Sequence, residues 1–134
     1  MKLEKKLGHA NSFKDLEVYK HTRELSKIIF EMTKTFPIEE KYSLTDQIRR
    51  SSRSIGAQIA ESWAKRLYRK HFVSKLTDAD AELNETEHWV ETAFYCGYIE
   101  EEEKDQIIRS CQEIGKMIGS MIIHAGKFCP TSTE

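Results

Sequence analysis

Phe72, Leu76, Ala79, Leu83, Thr86, Val90 and Ala93 follow one another in alternating steps of four and three. A strand with that spacing would scatter them over both faces of a sheet, whereas an α-helix gathers them on one stripe. The spacing is a heptad seam. Such seams pack helices about 20° from parallel, the geometry of four-helix bundles. The chain is therefore expected to be all-α, and its other segments must supply partners for this seam.

Three further segments keep the same rhythm. Leu16, Tyr19, Leu25, Ile28, Ile29, Met32 and Phe36 form the first, which Pro37 stops. Ser12 is expected to cap it, with Asp15 three residues on at capping-box spacing. Leu44, Ile48, Ile55, Ile59 and Trp63 form the second, introduced by Ser43 and Asp46 at the same spacing. Ser51, Ser52, Ser54, Gly56, Ala57 and Ala60 are small and let a neighbouring helix approach closely. Gly56 costs about 1 kcal/mol of helix propensity relative to alanine, which implies a packing reason or a bend. The heptad segment is third, and Gly97 is placed to end it in a left-handed cap. Ile107, Ile108, Cys111, Ile114, Ile118, Met121, Ile122, Ala125 and Phe128 form the fourth. Glu100 to Glu103 open it, carboxylates at the positive end of the helix dipole. The expectation is an antiparallel up-and-down four-helix bundle in a single domain, residues 13–129, with flexible ends at 1–12 and 130–134.

A chain of 134 residues suits one hydrophobic core. No stretch approaches the roughly 20 apolar residues that cross a bilayer, and Met1 to Ser12 lacks the apolar run of a secretory signal. No membrane role and a cytoplasmic location are expected. Cys96, Cys111 and Cys129 are odd in number and widely spaced, which points to reduced thiols rather than a disulfide framework or a zinc site.

A net charge of −1 conceals an uneven distribution. From Arg49 to Lys75 the chain carries Arg49, Arg50, Arg53, Lys65, Arg66, Arg69, Lys70 and Lys75 against Glu61 alone. From Asp78 to Asp105 acids dominate, opposed only by Lys104. Such blocks serve as solvated faces, as pairs within or between subunits, or as a polyanion site with an acidic counter-face. Trp63, Tyr68 and Phe72 are interleaved with Lys65, Arg66, Arg69 and Lys70, a pattern that suits base stacking beside phosphate contacts or, equally simply, aromatic sealing of the bundle.

Marks of catalysis are scarce. GxSxG, a phosphate-cradling glycine loop and HExxH are all missing from the sequence, and neither a cofactor nor a small-molecule substrate is suggested. Glu85 and His88 form one Glu-x-x-His pair, but a di-iron bundle needs two such pairs, and Leu83, Thr86 and Val90 define the inward stripe. No metal site is expected there.

Phe13-Lys14-Asp15-Leu16-Glu17-Val18-Tyr19, Phe36-Pro37 with Glu40, and Leu44-Thr45-Asp46-Gln47-Ile48-Arg49-Arg50 are specific in combination. Ser54 to Glu61, Ala81 to Glu87 and Gly97-Tyr98-Ile99 continue the pattern. The chain resembles the bacterial four-helix-bundle proteins associated with intervening sequences in 23S ribosomal RNA genes. It departs from their usual block at Gly56, where proline is common, and Gln58, where asparagine is common. The resemblance implies an up-and-down bundle, a ring-shaped homopentamer and no enzyme activity. A group related in fold, the accessory variability proteins of diversity-generating retroelements, binds nucleic acid and a reverse transcriptase through a basic surface.

The leading functional expectation is a non-enzymatic oligomeric scaffold that binds RNA or a ribonucleoprotein through Arg49, Arg53, Lys65, Arg66, Arg69 and Lys70. A pure protein-interaction module is the alternative, with Arg50, Arg53, Ala57 and Glu61, which share one face of the second helix, as the subunit interface. A metal-dependent enzyme built on Glu85 and His88 ranks last.

Overall fold

The structure, a computed structural model, describes residues 10–130. It contains four α-helices, α1 (Glu17–Thr33), α2 (Asp46–Ala64), α3 (Arg69–Tyr95) and α4 (Glu101–Ile123), and no strand among the described residues. Contacts between the helices establish their directions. Gly56 faces Thr22 while Arg49 bonds Thr33, so α1 and α2 run antiparallel. Ser51 meets Thr86 and Gln58 meets Lys75, which reverses α3 against α2. Phe72 stacks on Phe128 and Lys104 lies over Phe94, which reverses α4 against α3. The result is an up-and-down bundle.

The heptad seam is buried at every position from Phe72 to Ala93. Each large side chain of this kind stabilises the fold by about 1.5–3 kcal/mol on burial, before the cost of ordering it. Ile48, Ile55 and Ile59 of α2 and Ile107, Cys111, Ile114, Ile118 and Met121 of α4 face the same interior. On α1 the stripe differs from expectation. Ile28 is exposed, whereas Val18 and Thr22 are buried. Thr22 is tolerated inside because its hydroxyl bonds the Tyr19 carbonyl at 2.7 Å.

Both expected capping boxes are replaced by backbone turns, one tighter and one wider than an α-helix. Ser12 caps only a 3₁₀ turn, Phe13–Asp15, and Asp15 accepts from the Asn11 amide rather than from Ser12. Leu16 then leaves helical geometry at ψ 130°, which turns its side chain into the core, and α1 begins one residue later. Ser43 lies exposed within a π-helical turn, Lys41–Thr45, that runs straight into α2. The Asp46 amide bonds the Lys41 carbonyl, so the amides of α2 have backbone partners where a Ser43 cap was expected. Gly97 behaves as its position suggested. At φ +79° it closes a Schellman motif in which Gly97 and Tyr98 amides bond the Phe94 and Ala93 carbonyls.

The structure resolves the two readings of Gly56 in favour of packing. Helix α2 is continuous through it, and a Cβ there would sit 3.0 Å from Thr22 Oγ1 and 3.5 Å from Tyr19 Cε1. The expected flexible ends fall largely outside the described residues. Of the part within them, Ala10 packs against the core.

Candidate nucleic-acid interface

The up-and-down path brings the α2–α3 turn beside the carboxyl end of α4. Phe72 stacks on Phe128 with ring centroids 5.6 Å apart, and the Arg69 guanidinium lies against Gly126, where any Cβ would collide with Nη2. Lys65, Arg66, Arg69 and Lys70 therefore share one end of the bundle with Lys127, which belongs to a closing 3₁₀ turn, Ala125–Lys127. Helix α3 opens with Arg69, Lys70 and His71 and has no acid in its first turn. Cations there oppose the helix dipole, so this turn is not optimised for helix stability. Away from this end, ion pairs engage Lys20, Lys34, Lys75 and Lys104. Glu61, the lone acid of the basic block, pairs with Lys75 at 3.2 Å.

The interleaved aromatics separate in the structure. Phe72 is fully buried and belongs to the core. Trp63 is half-buried, its ring covered by the Arg66 guanidinium 3.5 Å from the centroid, while Arg66 Nε donates to the Trp63 carbonyl at 2.8 Å. Tyr68 is exposed, beside the still more exposed Leu67.

Arg49 and Arg53 are not part of this end. Twelve residues of helix from Arg53 to Lys65 correspond to about 18 Å. Arg49 is half-buried, donates from Nε to Thr33 Oγ1 at 2.7 Å and lies over Phe30 at 4.6 Å, so it ties α2 to α1. Arg53 is exposed, its guanidinium 5.7 Å from the centroid of the same ring. Arg50, Arg53, Ala57 and Glu61 do form one exposed strip on α2. Arg53 and Ala57 border α1, whereas Glu61 is turned to Lys75 of α3.

Arg53 and Ala57 also line an open cleft of about 730 Å³ between α1 and α2. Phe13, Tyr19 and Phe30 contribute aromatic surface to it, Ser52, Gly56 and Ala60 are the small α2 residues beside it, and Arg23 and Lys27 line it from α1. Reasoning from periodicity missed this feature. Its signal was Phe30, an aromatic outside the α1 stripe.

Glu85 accepts a hydrogen bond from Trp89 Nε1 at 3.0 Å, and His88 is exposed with its ring against Trp89. Among the described residues no group of three or more His, Cys, Asp or Glu side chains is placed to hold a metal ion. Burial pushes the Cys111 thiol up to about 12, with a further contribution from the charge of Glu87. At the end opposite the cations, Tyr98 donates to Glu40 at 2.7 Å, and that bond raises the phenol to about 12. The bond joins the α1–α2 connector to the α3–α4 turn.

Residues 14–120 match the family model described as 23S rRNA-intervening sequence protein. The chain belongs to that family. The match takes in α1, α2 and α3 and most of α4, including the whole α2–α3 turn, but stops before Gly126 and Lys127. A similar fold occurs in a Bacteroides thetaiotaomicron VPI-5482 protein of unknown function from the S23 ribosomal protein family, with TM-score 0.71 and 34% identity. The likeness covers 79% of this chain and 95% of that one. No curated protein matches the chain. No helix among the described residues is long and apolar enough to cross a membrane.

Proposed function

We propose that this protein is a non-enzymatic, self-associating scaffold that holds RNA, bare or within a ribonucleoprotein, against the basic end of its bundle. The observation that supports the reading is the gathering of Lys65, Arg66, Arg69 and Lys70 at one end, with Lys127 beside them, while Glu100 to Glu103 open α4 at the other. An RNA backbone approaching such a molecule is drawn to one end and repelled from the other. Arg66 is held over Trp63, so part of its ordering cost is met before binding. Tyr68 offers an exposed ring beside the cations.

The same physics explains what self-association contributes. Each subunit offers a few phosphate contacts, which alone are weak at physiological salt. A closed ring, five-membered as the family resemblance implies, repeats them at high effective concentration. Chemistry is not required of any residue in this mechanism.

A salt-series titration of single-stranded RNA, on protein of measured oligomeric state, tests the proposal. Binding should weaken steeply with salt, and Lys65→Glu with Arg69→Glu should reduce the slope by about 0.7 for each phosphate that is no longer neutralised. Absence of binding at low salt overturns it.

A further inference from the structure

We infer that the α1–α2 cleft is a docking groove for an acidic amphipathic helix of another protein. The inference goes beyond the RNA-scaffold reading, since the cleft and the basic end are separate surfaces.

Shape comes first. Along α1 the cleft runs from Tyr19 to Phe30, about 16 Å of helix, room for about three turns of a guest. Gly56 and Ala60 keep the α2 side low, while Tyr19 and Phe30 supply apolar surface toward the two ends. A helix laid in such a groove buries one apolar stripe and leaves its flanks over the rims.

The rims specify the flanks. Arg23, Lys27 and Arg53 line the cleft, and the ion pairs identified among the described residues involve other cations. Glu31, the acid in the lining, is already paired with Lys34 at 3.1 Å. The complement is a helix with carboxylates beside its apolar stripe.

Two other occupants fit less well. Bases need open ring faces, but Arg49 and Arg53 already lie over Phe30, and Arg23 lies over Tyr19 while bonding its hydroxyl at 3.2 Å. A second copy of this chain has acids on α3 and α4. Between Asp78 and Glu91, and between Glu101 and Glu113, however, its large apolar side chains are buried or, as at Trp89 and Ile108, half-buried against the core, and none stands clear to fill the cleft.

The test uses a fluorescein-labelled helical peptide of about 16 residues, leucine at every third or fourth position and glutamate on the flanks, against a twin with lysine for glutamate. The acidic peptide should bind the full chain at least about tenfold more tightly than its twin, and Ala57→Trp, which fills the cleft, should weaken it about tenfold. Lys27→Glu with Arg53→Glu changes only exposed side chains; it should cost the acidic peptide a similar factor with helix content unchanged, and serves if Ala57→Trp fails to fold. RNA binding at the other end should persist in these variants. Equal affinity for the two peptides overturns the inference, as do unaltered binding by the charge-reversed variant, displacement of the peptide by oligouridylate, or occlusion of the cleft by a second copy as concentration rises.

Discussion

Helix α2 presents small residues to two neighbours, with opposite results. Toward α3 the fit is closed. Ser51 and Thr86 hydroxyls lie 2.9 Å apart with both side chains buried, and Lys75 crosses the rim to Glu61 and Gln58. Toward α1 the helices approach closely at Gly56 and Thr22 and Arg49 reaches across to Thr33, but the outer surface between these contacts falls away into the cleft. The difference lies in what faces the small residues. Opposite Ser51 stands the heptad seam of α3, whose every position points inward. Along the cleft, α1 presents Arg23, Lys27 and Phe30, which solvent reaches. Small residues permit close approach, but the facing stripe decides whether it happens.

The comparison breaks first in the closed seam. Leu76→Ala removes a fully buried side chain and should cost about 2–5 kcal/mol in urea unfolding. If the loss is under about 1 kcal/mol, the seam is not the rigid element described.

Gly56 and Ala57 sharpen the contrast within one turn. Gly56→Val drives a branched side chain into Thr22 and Tyr19 and should cost about 1–3 kcal/mol, whereas Ala57→Val, at the exposed cleft, should stay within about 0.5 kcal/mol. Equal costs in thermal melts would mean that the cleft is closed in solution. Thr86→Val comes next. It removes the bond to Ser51 while keeping the volume, and about 1 kcal/mol should be lost, because Ser51 retains the Ile48 carbonyl at 3.3 Å.

The smallest effect concerns pH. Burial, then the charges of Asp80 and Glu91, raise the half-buried Glu87 carboxyl above 4.5. The folded chain thus holds this proton more tightly than the unfolded one, so stability falls as pH rises through the interval and is recovered on acidification. Glu87→Gln should remove that slope from chemical-denaturation midpoints, changing stability by about 0.5 kcal/mol or less because solvent screens the site. A slope of opposite sign would place Glu87 beside a cation. Thiol labelling adds a check without mutation: exposed Cys96 should react in the native state, and buried Cys111, its thiol pushed up to about 12, only on unfolding.

Legibility followed the strictness of the local pattern. The α3 seam was readable position by position because a heptad leaves a single inward face. The α1 stripe was less so. A threonine that satisfies its own hydroxyl against the backbone looks polar in sequence and sits inside, while Ile28 looks apolar and lies at the edge. Both caps were misplaced because Ser-x-x-Asp describes a start only when the preceding chain is not already turning, and here a 3₁₀ turn precedes α1 and a π turn runs into α2. The cations were visible as a block, yet their grouping was not. Arg49 is claimed by Thr33 and Phe30, sixteen and nineteen residues away, contacts that no local spacing announces.

Periodicity alone determined that this chain makes four amphipathic helices around one core, since apolar spacing and the glycine and proline stops act within a few residues. Which cations share an end, which arginine is spent on an internal contact and where a cleft opens were decided by the tertiary structure. Those features depend on residues distant in the chain meeting across helices, and helix length and rotation set that meeting.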